Sequence, residues 1–263
     1  MAVLISDLDN TLVNTHQQWL RGYDYLVARY RDRFADETEA REAIIRLADA
    51  LFNRYGPESP IRFFETFITL ITQHPELGNP DESVEEILDR EVARINREGA
   101  FSDRAAAQRF YEILHAPEPL DGLPEFLDFI AASELQLCIV THGWEAGQRK
   151  KLRDHDIEPL LSIPPITTAA LGTRDKLRLY REAIDQLKHA GALEPPLFVL
   201  GDNPEHDLKP ARSLQEKSPF PVYVIYKVGF YLGDQQDGTK YADFKTTSFE
   251  EVQQAIETIL KGE

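Results

Sequence analysis

The chain opens on an apolar run, Ala2-Val3-Leu4-Ile5, whose β-branched residues predict a buried strand that gives out at Asp7 and Asp9. From about His16 to Ala116 the pattern changes, and apolar residues recur at three-to-four spacing between breakers. Leu20, Tyr23, Leu26, Val27 and Tyr30 predict a helix over 19–34. Ile44, Leu47, Ala48 and Leu51 predict another over 40–55, which Gly56-Pro57 ends. Ile61 to Thr72 reads as a buried helix closed by His74-Pro75. Ser83 with Glu86 has the form of a capping box before Ile87 to Ile95, and Ser102 is expected to open a last helix through Phe110 and Leu114.

From Leu120 onward strands and helices alternate. Helices are expected at 123–132, 147–154, 175–190 and 249–260, and strands at 135–140, 197–200 and 222–228. The loop Gly229 to Tyr241 reads as a hairpin or a flap. Such alternation implies an α/β fold with a doubly wound parallel sheet. The first strand belongs to that sheet, so the helical block is an insertion. The expected domains are residues 1–15 with 117–263, and an all-helical 16–116.

Composition narrows the picture only a little. A length of 263 residues suffices for a real core. The net charge of −16 argues against general nucleic-acid binding, because phosphate backbones attract basic faces. No apolar stretch approaches the ~18 residues that suggest a membrane span. No basic segment or signal-peptide core precedes the first strand, and a lone cysteine fits a reducing compartment, so a cytoplasmic location is expected. Cys138, inside an apolar run, reads as a buried thiol.

Four places carry candidate chemistry. Asp7 and Asp9 fall at the carboxyl end of a strand, where open α/β sheets place their ligand crevice. For the two acids to converge on one site, the backbone is expected to leave extended geometry there. The pair suits metal binding or nucleophilic and acid–base work on a phosphate; it also suits a helix N-terminus, since Asp, Asn and Thr are good N-caps. Thr141-His142-Gly143 ends a second strand with a hydroxyl and backbone N–H groups that can hold phosphate oxygens, or else caps the following helix. Gly201-Asp202 followed by Asp207 ends a third strand in acids suited to a hard cation, or forms an acidic turn around Asn203-Pro204. Lys176 opens a helix, either as a surface residue or as a cation that neutralises a carboxylate and a phosphate.

In order and spacing these elements resemble the haloacid dehalogenase-like (HAD) hydrolase superfamily. Asp7-Leu8-Asp9-Asn10-Thr11 matches its Asp-x-Asp-x-Thr motif, Thr141 its second motif, Lys176 its third, and Gly201-Asp202 with Asp207 its Gly-Asp-x-x-x-x-Asp. The helical block matches the family's cap inserted after the first strand. Lys176 lacks the Lys-Pro of many relatives, and Arg174 stands close by.

The resemblance implies a Mg²⁺-dependent phosphatase. Asp7 would be the nucleophile and Asp9 the general acid and base. Mg²⁺ would be held by Asp7, Asp202 and the Asp9 backbone carbonyl, with Asp207 bracing the metal or Lys176. Thr141 and Lys176 would hold the phosphoryl group, with Thr11 and His142 at the substrate. An acid at the second position separates phosphate enzymes of the family from its dehalogenases, which lack one. The substrate would be a small phosphorylated metabolite. Alternatives are a phosphomutase with the same core and a binding protein that lost turnover. Substrate choice is expected in the cap, among His16, Gln17, Trp19, Arg21, Tyr23 and Arg62, though Trp19 and Tyr23 also suit a core and the arginines a surface. His206 is expected beside the metal rather than on it, because Mg²⁺ prefers oxygen.

Overall fold

The computed structural model describes residues 2–54, 60–73, 84–99, 101–133, 135–228 and 238–262. These fall into two compact units, Met1–His16 with Pro117–Glu263, and Gln17–Ala116.

In chain order the first elements are β1 (Val3–Ser6), β2 (Val13–Asn14) and α1 (Thr15–Tyr30). The helices α2 (Glu37–Arg54), α3 (Pro60–Gln73), α4 (Val84–Glu98) and α5 (Arg104–Leu114) follow. Next come β3 (Glu118–Pro119), α6 (Leu123–Ala132), β4 (Gln136–Thr141) and α7 (Glu145–Asp154). Then follow β5 (Ile166–Thr167), α8 (Thr168–Leu171), α9 (Lys176–His189) and β6 (Leu197–Gly201). The chain closes with a π-type turn (Pro204–Leu208), α10 (Lys209–Gln215), β7 (Val222–Lys227), β8 (Phe244–Thr246) and α11 (Phe249–Lys261).

The larger unit is built on a six-stranded sheet of order β5-β4-β1-β6-β7-β8, parallel throughout. Parallel strands are covered on both faces, and the burial follows that rule. Leu4, Leu137, Ile139, Phe198, Leu200 and Ile225 face one side, against Leu123, Phe126 and Ile130 of α6 and Val252 and Ile256 of α11. Their sequence neighbours Val3, Ile5, Cys138, Val140, Val199 and Val224 face the other, against Leu179, Tyr180 and Ala183 of α9 and Ala211 of α10. Each fully buried aliphatic or aromatic side chain contributes about 1.5–3 kcal/mol. From β1 the chain runs outward one way through β4 and β5, then crosses back to β6 and runs out the other way. The strands that diverge so are β1 and β6, and ligand crevices of open α/β sheets form at such a switch. Register aligns Ser6 with Ile139 of β4 and Leu200 of β6, so Asp7, Thr141 and Asp202 emerge from one edge.

The smaller unit's described regular elements are all helical. Its core centres on Phe110 of α5, whose ring meets Phe64 at 5.3 Å, Phe67 at 5.8 Å and Trp19 at 5.9 Å. Gly22 of α1 makes room, since a Cβ there would lie 2.5 Å from Phe110 Cε2.

Most expected elements lie within a few residues of the observed ones. The first helix starts earlier, at Thr15, and ends in a 3₁₀ turn at Arg31–Arg33. Ser102 does not open α5; Asp103 does, accepting from Ala106 N–H at 3.0 Å, because its carboxylate is also fixed by Arg29 and Tyr30. Ser102 hydrogen-bonds Thr72 instead. The ribbon of β2 with β3, and the strands β5 and β8, are too short to leave a periodic signal. The features expected at Gly56-Pro57, His74-Pro75, Ser83 and 229–237 lie outside the described residues. No described helix is long and apolar enough to cross a membrane.

Cys138 is fully buried, and burial pushes its thiol up to about 12. A disulfide-type thiol reagent at pH 8 is therefore expected to leave the native chain unlabelled and to label one thiol in guanidinium. Stoichiometric labelling of the native chain within minutes would contradict this packing.

Candidate active site

Beyond Ser6 the backbone leaves extended geometry at once. The N–H groups of Leu12 and Val13 both bond to the Leu8 carbonyl, and Asn10 adopts a left-handed φ of 61°, which asparagine tolerates well. The two acids of this turn are not helix caps. That task falls to Asn10, whose side chain accepts from His16 N–H at 2.7 Å in the first turn of α1.

Asp7, Asp202 and Asp207 form one buried cluster, with a carboxylate oxygen of each within 4.8 Å of the others. Lys176, at the first position of α9, reaches Asp7 at 2.6 Å and Asp207 at 2.9 Å, and its side chain is 1% exposed. Lys176, not Arg174, is thus the cation of the cluster. Burial alone would push its pKa down, but Asp207 and Asp7 reverse that and hold it above the usual lysine range. Thr11 donates toward Asp202 at 3.1 Å and lies 3.5 Å from Asp7, so its hydroxyl faces the carboxylates.

Asp207 sits on the π-type turn after β6, which Asn203 organises by accepting from the N–H groups of Glu205 and His206. Asn203 N–H donates in turn to Asp207 at 3.1 Å. Glycine is required at 201, because a Cβ there would lie 2.5 Å from that of Asp207. Asp202 and Asp207 therefore turn inward while Asn203 builds the turn.

One ammonium among three carboxylates leaves a surplus of negative charge. Burial pushes the Asp7 carboxyl up to about 7, with Asp207 and Asp9 adding to the rise and Lys176 opposing it. Burial and the neighbouring Asp207 and Asp7 raise Asp202 well above the carboxylate range. Asp202 Oδ2 is buried without a hydrogen-bond partner among the described residues. An all-oxygen cluster with surplus charge and an unpartnered oxygen fits a hard divalent cation.

Asp9 lies apart from that cluster. Its carboxylate takes Lys151 at 2.6 Å, Thr15 at 2.5 Å and Gln148 at 2.8 Å, and its side chain is 25% exposed. Partial burial pushes this carboxyl up, but the Lys151 ammonium and the three hydrogen bonds outweigh that and hold it below its ordinary value.

Thr141 is buried at the end of β4 and does not cap α7, whose N-cap position is Trp144. Gly143 N–H, one of the amides expected to serve a phosphate, is taken by Thr168 at 2.9 Å. The His142 ring stands edge-on to His206 at 5.9 Å, and its Nε2 has no partner among the described residues. Burial, with Lys176 adding, pushes it down to about 4, so it is neutral near pH 7. His206 is outside the metal-type cluster.

Of the residues expected to set specificity, Trp19 and Tyr23 pack on Phe110 in the helical unit's core, and Gln17 and Arg21 are exposed. His16 is half-buried, and the side chain of Arg62 lies outside the described residues. Lys151, Gln148 and Thr15 carry no motif and went unnoticed in the sequence. A signal existed in α7, where Leu152 is the one large apolar residue. Positions 148 and 151 share its face, so that face had to be buried with polar groups on it.

A family model, haloacid dehalogenase-like hydrolase, matches residues 1–215. The chain belongs to that family and is a hydrolase. Among solved structures it resembles a HAD phosphatase from Thermococcus onnurineus, at 17% identity and a TM-score of 0.58, covering 97% of this chain and 98% of that one. A HAD-hydrolase candidate, YfnB from Bacillus subtilis, solved bound to magnesium, shows 15% identity and 0.58 over 97% and 98%. A β-phosphoglucomutase candidate from Thermotoga maritima shows 14% and 0.59 over 98% and 100%. Dehalogenases share the fold too. No curated protein matches the chain in sequence.

Gly201→Ala tests the packing of this site. With no space for a Cβ against Asp207, it is expected to cost about 1–3 kcal/mol in denaturant unfolding. A change within the error of the measurement would contradict the close approach.

Proposed function

We propose that the chain is a Mg²⁺-dependent phosphatase that hydrolyses a small phosphorylated metabolite through an aspartyl-phosphate on Asp7. The observation that carries this reading is the second acid. Asp9 stands at the same strand edge as Asp7 with donors of its own, so one carboxylate is available to attack and another to move protons. Hydrolysis of a carbon–halogen bond needs no proton donor for the halide that leaves. Expulsion of an alkoxide does.

Lys176, held between Asp7 and Asp207, favours the ionised form of Asp7 against its burial and offers positive charge to the phosphoryl oxygens. An Asp7 oxygen forms a bond to phosphorus as the ester P–O bond breaks, and Asp9, which must first take a proton from water against the pull of the Lys151 ammonium, passes it to the departing oxygen. Water then attacks phosphorus, the Asp7–phosphorus bond breaks, and Asp9 takes the water's proton. Thr141 and the loop it opens hold phosphoryl oxygens, with His142 beside them. Thr11 orients the carboxylates of Asp7 and Asp202. Mg²⁺ would be held by Asp7, Asp202 and the Asp9 backbone carbonyl, with Asp207 beside it, and would supply charge neutralisation between carboxylate and phosphate.

The acid cluster also sets a pH dependence for metal binding. The Asp7 carboxyl rises from 3.8 to about 7 on folding, so the metal-free folded chain binds more protons than the unfolded chain between those values. Its contribution to stability is complete below about 4 and is lost as pH rises through about 7. Mg²⁺ competes with those protons. The rise in Tm on adding Mg²⁺ is expected to be larger at pH 8 than at pH 5 and to vanish in Asp202→Asn. Equal shifts at both pH values would contradict the assignment.

Phosphate release from an aryl phosphate and from a panel of phosphorylated metabolites tests the activity. Release is expected only with Mg²⁺ and is expected to fall by at least about 10³-fold in Asp7→Asn. No release from any member of the panel would overturn the reading. Isomerisation of a sugar phosphate without free phosphate would turn it toward a mutase.

A further inference from the structure

Lys176 holds Asp7 and Asp207, and Thr11 holds Asp202; Asp9 is held from a different direction, by one face of α7. Lys151 and Gln148 lie three residues apart on that face, and both are buried, at 4% exposure each. Gln148 is itself fixed. Its Nε2 donates to the His142 carbonyl at 2.5 Å as well as to Asp9, and it packs where a Cβ on Gly143 would fall, 2.7 Å away. Gly143 has a φ of +113°, which side-chain-bearing residues rarely adopt. The loop after β4 is thus shaped to admit the Gln148 amide.

The contacts on the two Asp9 oxygens are unequal. Oδ1 takes both the Lys151 ammonium and the Thr15 hydroxyl, which fills its two lone-pair directions. Oδ2 takes only Gln148, which leaves one direction open. With both oxygens engaged the carboxylate plane cannot rotate freely, so the open direction has a defined aim.

We propose that Lys151 and Gln148 are positioning residues for Asp9, fixing its carboxylate so that Oδ2 is the atom that gives and takes the proton. The inference rests on the phosphatase reading and deepens it. Proton transfer needs donor and acceptor within hydrogen-bond reach and aligned, so a rotated Asp9 would fail at it even when present. A pair that merely staples α7 to the turn would lower stability and leave the discrimination among esters unchanged.

The test is kcat/KM on substituted phenyl phosphates, from 4-nitrophenyl to 4-methoxyphenyl. This parameter stops at departure of the phenol and excludes hydrolysis of the intermediate. A nitrophenolate leaves without a proton, whereas a poorer leaving group needs one. Gln148→Leu, which leaves the Lys151 ammonium on Asp9, is expected to lose on the order of tenfold more on the 4-methoxyphenyl ester than on the 4-nitrophenyl ester. In an Asp9→Asn background, adding Gln148→Leu is expected to change neither rate further. If Gln148→Leu does not fold, judged by circular dichroism, Lys151→Arg, which keeps a cation on Asp9, carries the test and is expected to steepen the same dependence. Equal losses across the series, or a further loss in the Asp9→Asn background, would overturn the positioning role alone. A wild-type chain inactive on every ester would overturn the phosphatase reading, and this inference with it.

Discussion

A lysine ammonium removed from water is tolerated only where carboxylates replace its hydration, and Lys176 sits between Asp7 at 2.6 Å and Asp207 at 2.9 Å. Each of the three comes from a different part of the chain, the end of β1, the start of α9 and the turn after β6. Leaving any one unpartnered in a buried site costs about 3–5 kcal/mol. The ion triad therefore ties the register of the central strands to the placement of α9 and to the backbone path around Gly201. The same triad leaves a surplus of negative charge at Asp7 and Asp202, which fits the site for a divalent cation.

The sheet explains why these groups meet. With β1 flanked by β4 and β6, and all three parallel, their carboxyl ends lie side by side. Chain reversal between β1 and β6 opens a gap there, because the connections diverge to opposite sides. Asp7 and Asp202 project from that switch point, and the loop after β4 lies on the other flank of β1. Two cation–carboxylate systems share the edge, Lys176 with Asp7 and Asp207, and Lys151 with Asp9. In the proposed mechanism that separation keeps the attacking carboxylate and the proton-moving one from being interchangeable.

Much of this was legible in the sequence because strands buried on both faces leave continuous apolar runs, as at Leu4-Ile5 and Leu197-Phe198-Val199-Leu200. Acids that end such runs stand out. Asp7, Asp202 and Asp207 stand out in that way, Lys176 gains weight only in their company, and the structure gathers all four within one site. What the sequence hid has physical reasons too. Strands of two or three residues, such as β5 and β8, have no periodicity to detect. Ser102 looked like a cap because hydroxyl caps are common, but the neighbouring Asp103 wins through its additional bonds to Arg29 and Tyr30. Lys151 and Gln148 sit in a helix dense with charge, and burial of a lysine there becomes visible only once its partner Asp9 is placed.

The central claim is that Asp7, held by Lys176, takes the phosphoryl group. Its most direct test is acid quenching of the wild-type chain during turnover of a phosphate ester, followed by peptide mass spectrometry. The account predicts a phosphoryl group on the peptide that carries Asp7, located at Asp7 by fragmentation and absent from Asp7→Asn. Phosphate release with no such adduct at any quench time, or an adduct on another residue, would contradict it.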